Sequence, residues 1–194
     1  MRAWYLGRAI PWVALLGCCL VAGLAVAALH RWPDNAWAVL PLVLAACAAA
    51  AGFVFDDVAT AVTSVTPRGG TWRRTSRLLA GLVPVAVWAL LVATAPSELS
   101  LDASAWLLAG LAGAVAAAGA AAIGSRRQLA RPGPTVAGAI VMLVLVPSVA
   151  GPFLEWEPVF PFGDYPGWVL GFWAGVLGVG MLLVGWAMRP GLRP

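Results

Sequence analysis

Residues 55–77 read F-D-D-V-A-T-A-V-T-S-V-T-P-R-G-G-T-W-R-R-T-S-R, the longest polar segment in an otherwise apolar chain. The segment opens on two carboxylates, Asp56 and Asp57, and closes on Arg68, Arg73, Arg74 and Arg77. Between them lies a weakly amphipathic Thr/Ser-rich piece with Thr60, Thr63 and Thr66, followed by Pro67 and the Gly69-Gly70 break. Its flanks are long apolar runs, so it reads as a loop between two membrane spans. Everything outward from it repeats that contrast.

Of the 194 residues, 62% are hydrophobic and 10% charged, with a mean hydropathy of +0.90. Roughly a quarter of an average soluble chain is charged, so a soluble domain of this length could not hide so much apolar surface. The apolar residues come in blocks of Ala, Leu, Val, Gly and Trp, which favours helices over the alternation of an outer-membrane barrel. Six blocks approach the roughly 20 residues that cross a bilayer: about 10–29, 36–55, 78–95, 105–124, 135–150 and 168–188. The expected fold is an all-α six-transmembrane bundle, one domain over 1–194.

The first block has the small residues of a signal-peptide cleavage site at Ala25, Ala27 and Ala28, but its apolar run is long for a signal, and it is read as a retained span. Residues 30–35 form a turn too short for anything but a helical hairpin. The fourth block carries Gly110, Ala114 and Ala118 at four-residue spacing, a stripe that lets backbones approach and belongs inside the bundle. Residues 151–167, G-P-F-L-E-W-E-P-V-F-P-F-G-D-Y-P-G, are too apolar for a solvated loop and too broken for a span. They read either as an interfacial aromatic belt or as a re-entrant segment.

All 12 basic residues are arginine. With the N-terminus inside, 11 of the 12 fall in cytoplasmic pieces and only Arg31 lies outside. By the positive-inside rule both termini are cytoplasmic, in the cell's inner or plasma membrane. Topology and anionic lipid of the bilayer thus account for the net charge of +4, and no nucleic-acid partner is expected. Absence of lysine excludes an ordinary Walker A loop within these residues.

No ionisable residue falls in the middle of any block, which argues against a proton relay or carboxylate-coupled transporter. With His30 the single histidine, a His-rich metal site is excluded; no plausible Ser-His-Asp set is present, and no catalytic or metal-binding residue is expected. Cys18, Cys19 and Cys47 lie in apolar runs and read as packing residues. Asp56 and Asp57 could bind a divalent cation or simply end the second span at the interface.

Six spans, cytoplasmic termini, a main loop between spans two and three and a broken aromatic segment before the sixth resemble the permease subunit of a type-2 ABC exporter. The phrase F-D-D-V-A, then T-P and an arginine cluster, is also similar to small actinobacterial membrane proteins of this kind. The resemblance implies a coupling helix that seats in a separate ABC ATPase, near Asp56, Asp57, Thr60, Thr63, Thr66, Pro67, Arg68, Trp72, Arg73 and Arg74. It implies an outer cap near Phe153, Trp156, Phe160, Phe162 and Tyr165. It further implies a second membrane subunit, identical or not, and ATP with Mg2+ held by the partner while this chain binds no cofactor. Residues 1–8 have room for about two turns of the interfacial helix usual before the first span. The alternative is a non-catalytic assembly subunit of a larger membrane complex.

Overall fold

The computed structural model describes residues 2–56, 70–127, 131–154 and 159–189. Among them there are helices and connecting turns but no strand, and six helical stretches are long and apolar enough to cross a membrane. The all-α six-helix reading is therefore the observed fold.

A short helix α1 (Arg2–Ala9) ends before Pro11, whose ring suits the start of the next helix rather than the interior of the last. The indole Nε1 of Trp12 donates to the Leu6 carbonyl at 2.9 Å, a second donor beside the Ile10 N–H at 3.3 Å, and so ties the start of the first span to α1. The first span, α2 (Trp12–Arg31), turns through a 3-10 helix at Pro33–Asn35 into α3 (Ala36–Gly52). The expected helical hairpin is present, and a further 3-10 turn, Phe53–Phe55, finishes the second span.

The third span differs from expectation. Helix α4 (Gly70–Ala80) runs into α5 (Leu82–Ala93) with a one-residue break at Gly81, and the continuous apolar stretch is Trp72–Ala93. Trp72, Arg73, Arg74 and Arg77, read above as loop, are the first two turns of that span. A helix tolerates arginine at its end when the guanidinium finds acceptors, and here it does.

Helix α6 (Ala103–Arg126) is about 36 Å long at 1.5 Å per residue and is followed by α7 (Pro132–Ala150) and α8 (Trp168–Met188). Helices α3 and α6 form the centre: 78% and 56% of their apolar windows are buried, against 17–28% for the other four spans. α2 and α7 flank α3, while α8 and α5 flank α6. The Ala/Gly-rich fourth span does lie inside the bundle. The alanine run of α3, 45–51, is buried more completely still.

Even-numbered crossings bring residues 2–12, 53–56, 70–80, 126–127, 131–132 and 186–189 to one end of the bundle, here the arginine end. Residues 31–36, 94–102, 150–154 and 159–167 mark the other, the aromatic end.

Candidate functional site

The arginine end is built around α4. Arg77 is buried, 5% exposed. Its Nε donates to the Tyr5 hydroxyl at 3.0 Å and a terminal nitrogen donates to the Phe55 carbonyl at 3.0 Å. The guanidinium carbon lies 5.9 Å from the centre of the Tyr5 ring, which itself tilts against Trp72 at 5.3 Å. One turn earlier, Arg74 donates to the Ala187 carbonyl at 3.1 Å. Arg126, ending α6, donates to the Trp186 carbonyl and lies 5.2 Å over the Trp186 ring.

These three arginines share one physical task. The last carbonyls of a helix have no partner within it, they carry the negative end of its dipole, and bilayer hydrocarbon offers no water to replace the missing donors. Phe55 ends the second span and Trp186 and Ala187 end the sixth. Arg77 thus closes α3 and Arg74 closes α8, while Arg126 adds a second donor to the Trp186 carbonyl, which also accepts from the Arg189 N–H at 3.3 Å. The amphipathic helix α4 is tied by side chains to α1, α3 and α8 at once, which no reading of the arginines as topology signals or lipid contacts anticipated.

Asp56 performs the converse task. Helix α7 begins at Pro132 with no cap from its own preceding side chain, Arg131. The Asp56 Oδ1 accepts from the Gly133 N–H at 2.6 Å, capping α7 from across the bundle. A Cβ on residue 133 would stand 2.6 Å from Asp56 Oδ2, so the carboxylate needs glycine there. Asp56 is 5% exposed. Its burial raises the carboxyl pKa, against the lowering influence of the Gly133 N–H and of the Arg131 and Arg77 charges.

Asp56, named above among the coupling residues, turns its side chain inward and uses it within the bundle. A buried acid with a raised pKa contributes most to stability below its unfolded value and less as pH rises through its folded value. Asp56→Asn keeps an acceptor for Gly133 and removes the buried charge, so its melting temperature should equal or exceed that of the parent. Asp56→Ala orphans the N–H and should cost about 1–3 kcal/mol. A denaturation series on the two variants in detergent separates these outcomes.

Of the other residues expected to couple, Trp72, Arg73 and Arg74 lie on α4. Asp57, Thr60, Thr63, Thr66, Pro67 and Arg68 lie outside the described residues.

At the aromatic end, residues 159–167 fold back over the bundle without forming a helix. Phe160, 6% exposed, stacks on Trp106 of α6 at 6.3 Å with rings 5° from parallel and meets Trp173 of α8 at 6.0 Å. Phe162 meets the edge of Trp106 at 5.0 Å. The Trp173 indole donates to the Val159 carbonyl at 2.9 Å. Phe160 and Phe162 therefore cover this end of the bundle, whereas Phe153 is 84% exposed. Trp156 lies outside the described residues.

Asp102 fastens this segment. Its Oδ1 accepts from the Ser104 and Ala105 N–H groups at 3.0 and 3.2 Å, an N-cap for α6, and Oδ2 accepts from the Tyr165 hydroxyl. D-A-S before an apolar helix is a start signal that a sequence reading can find; its bond to Tyr165 is not. The hydrogen bonds from Ser104, Tyr165 and Ala105 hold the Asp102 pKa down to about 2. The acid is depressed, so its contribution is complete above the ordinary value of 3.8 and is lost as pH falls through about 2. Asp102→Ala should speed amide exchange across 159–167 at neutral pH; Asp102→Asn, still able to cap α6, should affect that segment less.

Among the described residues no three His, Cys, Asp or Glu side chains come together as a metal site would require. Compared with family models, with curated proteins and with solved structures, the chain gives no match.

Proposed function

We propose that the chain is the transmembrane subunit of an ATP-driven transporter of the ABC type, an exporter that takes its mechanical input from a separate ATPase through residues 55–77. The observation that carries this reading is the anchoring of α4. Its arginines hold the carbonyl ends of α3 and α8, Tyr5 joins it to α1, and Gly81 alone separates it from α5. A push on such a helix is delivered to four others, whereas a push on a slack loop is delivered to none.

ATP and Mg2+ would be bound by the partner, and a second membrane subunit would complete the pathway. Nucleotide would bias the bundle between inward- and outward-open packings by displacing α4 against its bonds. This chain would contribute no catalytic group. Export rests on the resemblance to type-2 exporters, and cytoplasmic placement of the arginine end on the arginine distribution.

The coupling reading requires the arginine end to face the compartment that holds ATP. Thr75, exposed on α4, and Ser97, in the turn before α6, mark the two ends. A membrane-impermeant thiol reagent added to intact cells should label Ser97→Cys and leave Thr75→Cys unlabelled until the membrane is opened. The native thiols Cys18, Cys19 and Cys47 sit within spans and give little background. Labelling of Thr75→Cys from outside would remove the coupling reading.

A further inference from the structure

Helices α5 and α8 both pack on α6 but scarcely on each other, and the seam between them opens into an apolar cavity of about 400 Å3. That volume lies within the range that small-ligand pockets occupy. Its floor is Ala114 and Ala118 of α6, and its walls include Leu78 of α4 and Val184 of α8. Leu82 and Met181 stand at its rim, 59% and 57% exposed, so the opening faces the side of the bundle, where the bilayer lies.

The cavity is closed at one end by charge. Arg74 lies four residues, one helical turn, before Leu78, and Ala187 lies three after Val184, so the Arg74–Ala187 bond crosses directly above the apolar walls. Arg126 lies two turns beyond Ala118 on α6 and reaches the neighbouring carbonyl, Trp186. The charges of Arg126 and Arg73 bear on Arg74. Each guanidinium carries five donors, and no carboxylate among the described residues pairs with Arg74 or Arg126. Nine arginines of the described residues stand at this end against one carboxylate, Asp56, which is turned to Gly133.

We propose that this seam is a binding site for an anionic membrane lipid, one acyl chain lying in the α5–α8 cavity and the phosphate held by Arg74 and Arg126. An apolar slot open to hydrocarbon, ending in two guanidinium groups that no carboxylate pairs with among the described residues, matches an acyl chain and a phosphate together. A second copy of the chain would fill the slot but bring no anion to the arginines. The site stands independently of any ATPase partner.

The test uses the full chain purified in mild detergent with an equimolar mixture of phosphatidylglycerol and phosphatidylcholine of matched acyl chains, bound lipid being read by native mass spectrometry. Phosphatidylglycerol should be retained in preference, and Arg74→Gln with Arg126→Gln should reduce that preference by about tenfold, as expected for losing charge-assisted bonds. Because those arginines also bond the end of α8, a second variant is needed that leaves them intact. Gly185 lines the cavity, and a Cβ there would meet nothing within 4 Å. Gly185→Phe should therefore fill the slot, keep the parent melting temperature and lose both lipids. Equal retention of the two lipids by the parent chain, or unchanged retention in Gly185→Phe, would overturn the proposal. So would a lipid-free dimer that Gly185→Phe dissociates, which would give the seam to a second copy.

Discussion

Gly180→Leu is expected to force α8 away from α6 and to cost the bundle about 3 kcal/mol or more, at the upper end of what overpacking a filled interface costs. The reason is backbone against backbone. A Cβ on residue 180 would stand 2.7 Å from the Ala116 nitrogen and 3.0 Å from its Cα, atoms that cannot rotate aside. From the opposite helix, a Cβ on Gly119 would stand 2.8 Å from the Leu183 Cβ and 3.0 Å from the Gly180 carbonyl oxygen. The two glycines let α6 and α8 approach as small residues do between membrane helices, and this is the most extensive helix pairing in the bundle. Even Gly180→Ala should destabilise, because the gain of about 1 kcal/mol in helix propensity is offset by the overlap. Gly178, where a Cβ meets nothing within 4 Å, is the internal control. Thermal denaturation in detergent should show a large loss for Gly180→Leu and almost none for Gly178→Leu. Equal losses would mean that the seam does not pack as described.

Arg77→Ala should lose about 3 kcal/mol or more and free α1 from α4. Two hydrogen bonds from a charged donor disappear, each worth about 1.5–3 kcal/mol, and the Phe55 carbonyl is left buried at the end of the second span. Tyr5→Phe removes one of the two bonds and keeps the ring against Trp72, so it should cost less than Arg77→Ala, about 1.5–3 kcal/mol. Arg77→Lys should recover little, since an ammonium is a point charge that cannot reproduce the guanidinium's planar fork toward Tyr5 and Phe55 together. Stability can be read from tryptophan fluorescence during denaturation, and release of α1 from faster amide exchange across residues 2–9. If Arg77→Ala melts like the parent, the collar does not hold α3.

The six spans were legible because twenty consecutive apolar residues leave few alternatives, and the observed limits differ from the expected ones by only a few residues except at the third. There the charges of Arg73, Arg74 and Arg77 hide the helix from an apolar count. Their helical placement depends on acceptors supplied from elsewhere in the chain. Arg74 and Ala187 are 113 positions apart, and Asp56 and Gly133 are 77. Helix-end capping within one helix leaves a local pattern, as Asp102 and Ser104 show; capping between helices leaves none.

The small-residue stripe of the fourth span was read correctly as internal, but the tightest backbone approach of that span lies on another face. Gly110 of the stripe faces the Trp88 indole of α5, and Ala114 and Ala118 floor the lipid-sized cavity. The close approach of α8 is made one helix face away, at Ala116 and Gly119. Both faces are Ala and Gly throughout, so composition could not choose between them. The aromatic segment was legible as too apolar for a solvated loop and too broken for a span, yet Phe153 and Phe160 look alike in sequence and have opposite fates, because only the second lies within reach of Trp106 and Trp173.

The coupling account turns on whether a nucleotide-hydrolysing partner sits at the arginine end. Affinity purification of the tagged chain from native membranes in mild detergent, with co-purifying chains identified by mass, tests this most directly. The account expects a stoichiometric P-loop ATPase that is lost when residues 60–68 are replaced by a Gly/Ser linker, while the chain still inserts and keeps its melting temperature. Recovery of other membrane subunits and no ATPase would contradict it and leave the chain an assembly component of a larger complex.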